Sequence, residues 1–124
     1  MNNKVIGNKG EDIACEFLQQ RGFNICQRNF QNLQGRKIGE IDIVATKDDK
    51  LHFVEVKTRL ANQDNILPES NITPSKLRNL QRIAQIYIAT NNLWKAEQHF
   101  DAVSIILNMD TRQAKITYLP DIFY

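Results

Sequence analysis

Two short apolar runs, residues 41–45 (IDIVA) and 51–56 (LHFVEV), joined by the polar turn Lys47-Asp48-Asp49-Lys50, constrain the fold of this chain more than any other feature. Ionisable residues break or end these runs where a sheet interior carries aliphatic ones: Asp42 in the first, Glu55 and Lys57 in and after the second. Strand alternation puts Glu40, Asp42 and Val44 on one face and Phe53, Glu55 and Lys57 on one face of the next strand. Ile41, Ile43, Val54 and Val56 take the other face. A tight hairpin turning on Asp48 and Asp49 sets Lys47 opposite Lys50, Asp42 opposite Glu55 and Glu40 opposite Lys57. Carboxylates directly opposed on neighbouring strands destabilise a sheet, and a cation held between them removes the repulsion. The competing account is a solvated edge with Glu40–Lys57 and Lys57–Glu55 ion pairs. Against it, the runs around Asp42 and Glu55 are too apolar for a solvent face, and one lysine serves two buried carboxylates poorly.

With both faces of the hairpin apolar, the sheet needs a helical layer on each side. Residues 8–21 read as the first helix, with Ile13, Ala14, Phe17 and Leu18 as its inward stripe, Asn8 as N-cap and Gly22 as the stop. Glu11 has two readings: a capping-box residue three positions after Asn8, or a carboxylate leaning toward whatever the apolar side covers. Residues 23–28 form a strand with apolar contacts from Phe23, Ile25 and Cys26, and residues 29–39 a polar loop into the hairpin. Residues 60–73 carry little periodicity, as a mobile or functional loop does. Thr73 and Pro74 then suit the N-cap and first position of a helix reaching Thr90, with the stripe Leu77, Leu80, Ile83, Ala84, Tyr87 and Ile88. Residues 98–107 and 114–119 read as two further strands around a turn. The order predicts one α/β domain over residues 1–124, a central mixed β-sheet flanked by α-helices.

A chain of 124 residues suits one core, and 42% hydrophobic with 24% charged residues is ordinary for a soluble globular domain. A net charge of +2 permits a nucleic-acid partner without demanding one. No apolar run approaches the roughly 18–20 residues that span a bilayer, and the first residues lack the pattern of a signal peptide, so no membrane partner and a cytoplasmic location are expected. Cys15 and Cys26 read as buried apolar thiols, His52 and His99 as structural, and Tyr87 and Trp94 as packing residues.

The charged constellation fits phosphodiester hydrolysis assisted by a hard divalent cation. Magnesium, for which manganese substitutes, favours oxygen ligands and keeps several waters, so the Asp42 and Glu55 carboxylates with the Val56 carbonyl suffice. Lys57 would orient the attacking water or balance transition-state charge, and Glu11 would hold a metal-bound water. Arg36, Lys37, Arg59, Lys76, Arg78 and Arg82 are the cations placed to contact nucleic-acid phosphates, which position a substrate without reading its bases. The alternatives are a nucleic-acid-binding protein with little or no catalysis, and a scaffold that binds no nucleic acid.

Asp42 followed by Glu55-Val56-Lys57 on the next strand resembles the PD-(D/E)xK signature of restriction-endonuclease-like nucleases, with Ile41 where the signature carries proline. A wider set, Gly7-Asn8-Lys9-Gly10-Glu11, Arg28-Asn29, Gly39-Glu40-Ile41-Asp42 and FVEVKTR over residues 53–59, resembles the YraN family of small bacterial proteins. The resemblance spans nearly the whole chain and is weakest over residues 60–73 and at the C-terminus. It implies a restriction-endonuclease-like fold similar to archaeal Holliday-junction resolvases, whose site adds a first-helix glutamate to the strand triad. By position it assigns catalytic roles to Glu11, Asp42, Glu55 and Lys57, and points to DNA, including branched DNA. Symmetric cleavage of a junction requires two active sites, most simply in a homodimer, for which the apolar residues 119–124 are the candidate surface.

Overall fold

The computed structural model describes residues 2–61 and 73–122. In chain order its elements are α1 (Asn3–Gln20), β1 (Asn24–Gln31), β2 (Glu40–Lys47), β3 (Lys50–Leu60), α2 (Pro74–Thr90), β4 (Glu97–Asn108) and β5 (Gln113–Leu119). The strands make one five-stranded sheet ordered β1-β2-β3-β4-β5. β3 and β4 run parallel and the other neighbours antiparallel, so the expected mixed sheet is present.

Among the described residues, each face of the sheet carries one helix. Ala14, Cys15 and Leu18 of α1 pack with Ile43, Ala45, Val54, Val103, Ile105 and Leu107. Leu80, Ile83, Ala84, Tyr87 and Ile88 of α2 pack with Phe30, Ile41, Val44, Leu51 and Phe53. α2 starts as its sequence dictates: the Thr73 hydroxyl accepts a hydrogen bond from the Lys76 N–H at 3.1 Å, and Pro74 opens the first turn.

α1 begins five residues before its expected start. Its N-cap is Asn2, whose side chain accepts from the Val5 N–H at 2.9 Å, so Asn8 lies inside the helix and Glu11 is no capping residue. Asn8, with Glu11 three positions on, made this segment read as a helix start. Gly10, inside the helix, allows close approach, since a Cβ there would run into the Thr58 side chain on β3.

The strand after α1 also runs beyond the expected residues 23–28, to Gln31, which confines the following loop to residues 32–39. Cys26 is exposed rather than packed, whereas Cys15 is buried. Tyr87 is a core residue as expected, but Trp94 is 62% exposed. Leu60 still belongs to β3, and the remainder of the 60–73 segment up to Thr73 lies outside the described residues apart from Ala61. Residues 123 and 124 of the C-terminal stretch lie outside them as well.

The hairpin register matches the count from its turn, with Lys47 opposite Lys50, both turn aspartates at positive φ, and Ile43 opposite Val54. Beyond that pair the ladder stops, so the expected direct opposition of Asp42 and Glu55 is not part of the register. Ile41 packs beneath α2 and Ile43 beneath α1, so alternation is reset at Asp42 and the expected common face for Ile41 and Ile43 is not found. β1 has the matching irregularity. Arg28 reaches α1 and Phe30 packs under α2, with Asn29 at φ 55 between them. These residues pair Arg28 with Ile43 and Phe30 with Ile41, so both strands reset at one level of the sheet.

Candidate metal and phosphate site

The site is built where the ladder ends. In a regular continuation the Val56 N–H would bond the backbone of Ile41. Instead it donates to Asp42 Oδ2 at 2.8 Å. The Asp42 side chain therefore replaces a rung of the sheet, which holds its carboxylate between β2 and β3.

Three carboxylates converge there. Glu11 from α1, Glu40 at the start of β2 and Asp42 each offer an oxygen, and these oxygens lie within 4.8 Å of one another. Burial pushes the Asp42 carboxyl up, against the Val56 hydrogen bond, and the negative charges of Glu55, Glu11 and Glu40 push it further, to about 7. Glu11 is held by Arg28 Nη2 at 3.4 Å, while Arg28 Nη1 reaches Asp12 at 2.8 Å. Glu40 faces Lys37 at 3.5 Å, not Lys57 as strand counting suggested. The reset at Asp42 is the reason, since it takes Glu40 out of the extrapolated register.

Glu55 borders the same small cavity as Asp42 and is 9% exposed. Its Oε1 accepts from two ammonium groups, Lys57 Nζ at 3.1 Å and Lys76 Nζ at 2.7 Å. Lys76 comes from the first turn of α2, so a residue expected on a helix surface lies at the centre of the site. Among the other cations, Arg59 lines a groove with Glu11, Val56 and Lys57, and its buried Nε has no hydrogen-bond partner among the described residues. Arg36, Lys37 and Arg82 line a separate groove with Asn32 and Asn79. Arg78 is exposed on α2 and joins neither groove. The structure thus brings together Glu11, Asp42, Glu55, Val56, Lys57 and Lys76, adds Glu40, and places Arg36, Lys37 and Arg82 together in their own groove.

Two participants escaped sequence reasoning. Glu40 was placed opposite Lys57, and only the reset of the strand shows it beside Glu11 and Asp42. Arg28 enters the sequence reading only through the Arg28-Asn29 motif, and its hold on Glu11 depends on where α1 crosses β1.

Fold and site together define an α/β protein whose five-stranded mixed sheet opens beside a carboxylate cluster and a lysine pair. Residues 10–105 match the model of a family described as "Uncharacterised protein family UPF0102". A UPF0102 protein of Dictyoglomus turgidum is 43% identical over 123 residues, 99% of this chain and 100% of the relative. Its counterpart in Dictyoglomus thermophilum is 40% identical over the same shares of both chains. One from Syntrophomonas wolfei is 36% identical over 121 residues, 98% of this chain and 99% of the relative. The chain belongs to the UPF0102 family, which is the YraN family that its motifs resemble. Among the described residues, no helix is long and apolar enough to cross a membrane.

Proposed function

We propose that this protein is a metal-dependent DNA endonuclease that hydrolyses phosphodiester bonds, with branched DNA as the substrate form its resemblance points to. The observation that carries the reading is the convergence of Glu11, Glu40 and Asp42 oxygens within 4.8 Å beside the Glu55–Lys57 pair. The donor set suits a hard divalent cation: every side-chain donor is a carboxylate oxygen, and Asp42 is pushed to about 7 by burial and by neighbours that a cation would offset. Asp42, Glu55 and the Val56 carbonyl are the residues proposed to hold magnesium or manganese, with Glu11 and Glu40 completing the oxygen shell directly or through water. When bound, the cation supplies Lewis-acid polarisation of the phosphate and a more acidic water.

The chain's own residues do the rest. Hydrolysis joins a water oxygen to phosphorus and breaks the bond to the leaving oxygen, which takes up the proton the water gives up. Lys57, fixed by Glu55 at 3.1 Å, orients that water and balances charge gathering on the phosphate. Arg28 keeps Glu11 turned toward the cluster. Arg36, Lys37, Arg59, Arg78 and Arg82 position the nucleic-acid backbone electrostatically.

A second reading, a nucleic-acid-binding protein of the same fold with little or no catalysis, is favoured by the two ammonium groups already on Glu55 Oε1. One panel separates the two: wild type, Asp42→Ala and Lys57→Ala against linear, flapped and four-way-junction DNA, with and without manganese. Expected are metal-dependent products from the wild type and a drop of at least about 10³-fold in each variant. Salt-sensitive binding that survives Asp42→Ala, with no product under any cation, would replace the nuclease reading with the second.

A further inference from the structure

Glu55 Oε1 stands between the ammonium groups of Lys57 and Lys76, at 3.1 Å and 2.7 Å. One carboxylate balances one of these charges, so the spot retains an excess of one positive charge. It lies beside Glu11, Glu40 and Asp42, which even with Arg28 on Glu11 and Lys37 on Glu40 keep a negative balance, since Arg28 is shared with Asp12. The site is therefore bipolar, with an acidic side and a cationic side meeting at Asp42 and Glu55. A phosphodiester accompanied by a divalent cation has the complementary pair of charges.

We infer that Lys76 is a second lysine of the active site, whose ammonium holds a non-bridging oxygen of the scissile phosphate. The inference rests on the nuclease reading above and gives Lys76 a role distinct from that of the other α2 cations. Its placement is fixed by backbone chemistry: Thr73 caps the helix through the Lys76 N–H, and Pro74 sets the first turn, so the side chain leaves α2 toward β3 at a defined point. Its side chain is 35% exposed, against 9% for Glu55, so an incoming anion meets the lysine before the carboxylate. A fixed ammonium at this point stabilises charge that grows on the phosphate as the new bond to oxygen forms and the old one breaks. Arg78, two residues on and exposed, has no such anchor among the described residues, and its part is to attract the backbone.

The competing account is a structural tie of α2 to β3. Two measurements separate them. Wild type, Lys76→Ala, Lys76→Arg and Arg78→Ala are compared for kcat, KM and Tm on four-way-junction DNA with manganese. Amine acylation of wild-type Lys76 is also followed by mass spectrometry, with and without that DNA and with no divalent cation. Expected are a fall in kcat of about 10²-fold for Lys76→Ala, recovery to within about tenfold of wild type in Lys76→Arg, and a change confined to KM for Arg78→Ala. DNA should also protect Lys76 from acylation. A lowered Tm with kcat within about threefold of wild type, or acylation indifferent to DNA, would overturn the role given to Lys76. Failure of the wild type to cleave would sink the nuclease reading by itself. The acylation result would still show whether a phosphate is held at this lysine.

Discussion

Asp42 and Asp101 border the same small cavity from different strands, and their surroundings push them in opposite directions. Asp101, 1% exposed, is met by three donors or partners: His52 Nδ1 at 2.6 Å, the Tyr118 hydroxyl at 2.8 Å and the Asp121 N–H at 2.9 Å. Burial alone would push its carboxyl up, but those contacts prevail and hold it below the ordinary value. Asp42 has one backbone donor and three carboxylate neighbours, and is pushed to about 7. A buried carboxylate ringed by donors is part of what closes the fold. One that faces other carboxylates weakens the fold and leaves a demand for positive charge. The contrast makes Asp101 a structural residue and, on the proposed reading, leaves Asp42 as the functional one.

The largest expected effect on stability comes from breaking the satisfied member of the pair. Asp101→Ala leaves His52, Tyr118 and the Asp121 N–H without their shared partner and should cost about 3–5 kcal/mol in urea unfolding at pH 7. Asp42→Asn should do the reverse in the cation-free protein. With its folded carboxyl raised from 3.8 to about 7, Asp42 binds its proton more tightly in the folded chain than in the unfolded one. Its contribution to stability is therefore fully present below about pH 4 and is lost as pH rises through 7. At pH 8, Asn at this position should stabilise the cation-free fold by on the order of 2 kcal/mol and flatten that slope. Manganese should raise the wild-type Tm more at pH 8 than at pH 6, because a proton competes for Asp42 at the lower pH. An Asp42→Asn protein no more stable than wild type at pH 8 would break the comparison.

Much of this was legible in the sequence, and the parts that were not share a physical cause. The hairpin register as far as Ile43 opposite Val54, the two-layer cover, the mixed sheet and the cap at Thr73 all follow from local pattern and turn chemistry. Asp42, Glu55 and Lys57 stood out because charges interrupt apolar runs. The face assigned to Ile41, the neighbours of Glu40 and the start of α1 did not follow. Each depends on a tertiary contact that a local pattern cannot contain: the reset of two paired strands at Asn29 and Asp42, and the approach of Gly10 to Thr58. Lys76 read as one cation of a helix face because nothing local shows that the first turn of α2 ends on Glu55. The Asp101 cluster was missed for a similar reason, since its partners His52, Tyr118 and Asp121 come from three distant stretches.

The smallest effect tests how the load on Asp101 is divided. Tyr118 donates its hydroxyl to Asp101 Oδ2, the same oxygen that faces His52 Nδ1. Burial raises the Tyr118 phenol and the charge of Asp101 raises it further, so the proton stays on the tyrosine and, while Asp101 is ionised, the bond is phenol to carboxylate. Tyr118→Phe keeps the ring that packs edge-on to Phe23 at 6.1 Å and removes only the hydroxyl. Asp101 retains His52 and the Asp121 N–H, so no charge is left bare. The expected cost is about 1–2 kcal/mol, as for one hydrogen bond to a charged group. The loss should shrink on acidification as Asp101 takes up a proton, since a group whose folded pKa is lowered gives up its contribution as pH falls. Cleavage per folded molecule should not move. A cost as large as that of Asp101→Ala would mean that Tyr118, and not the set of three, carries the aspartate.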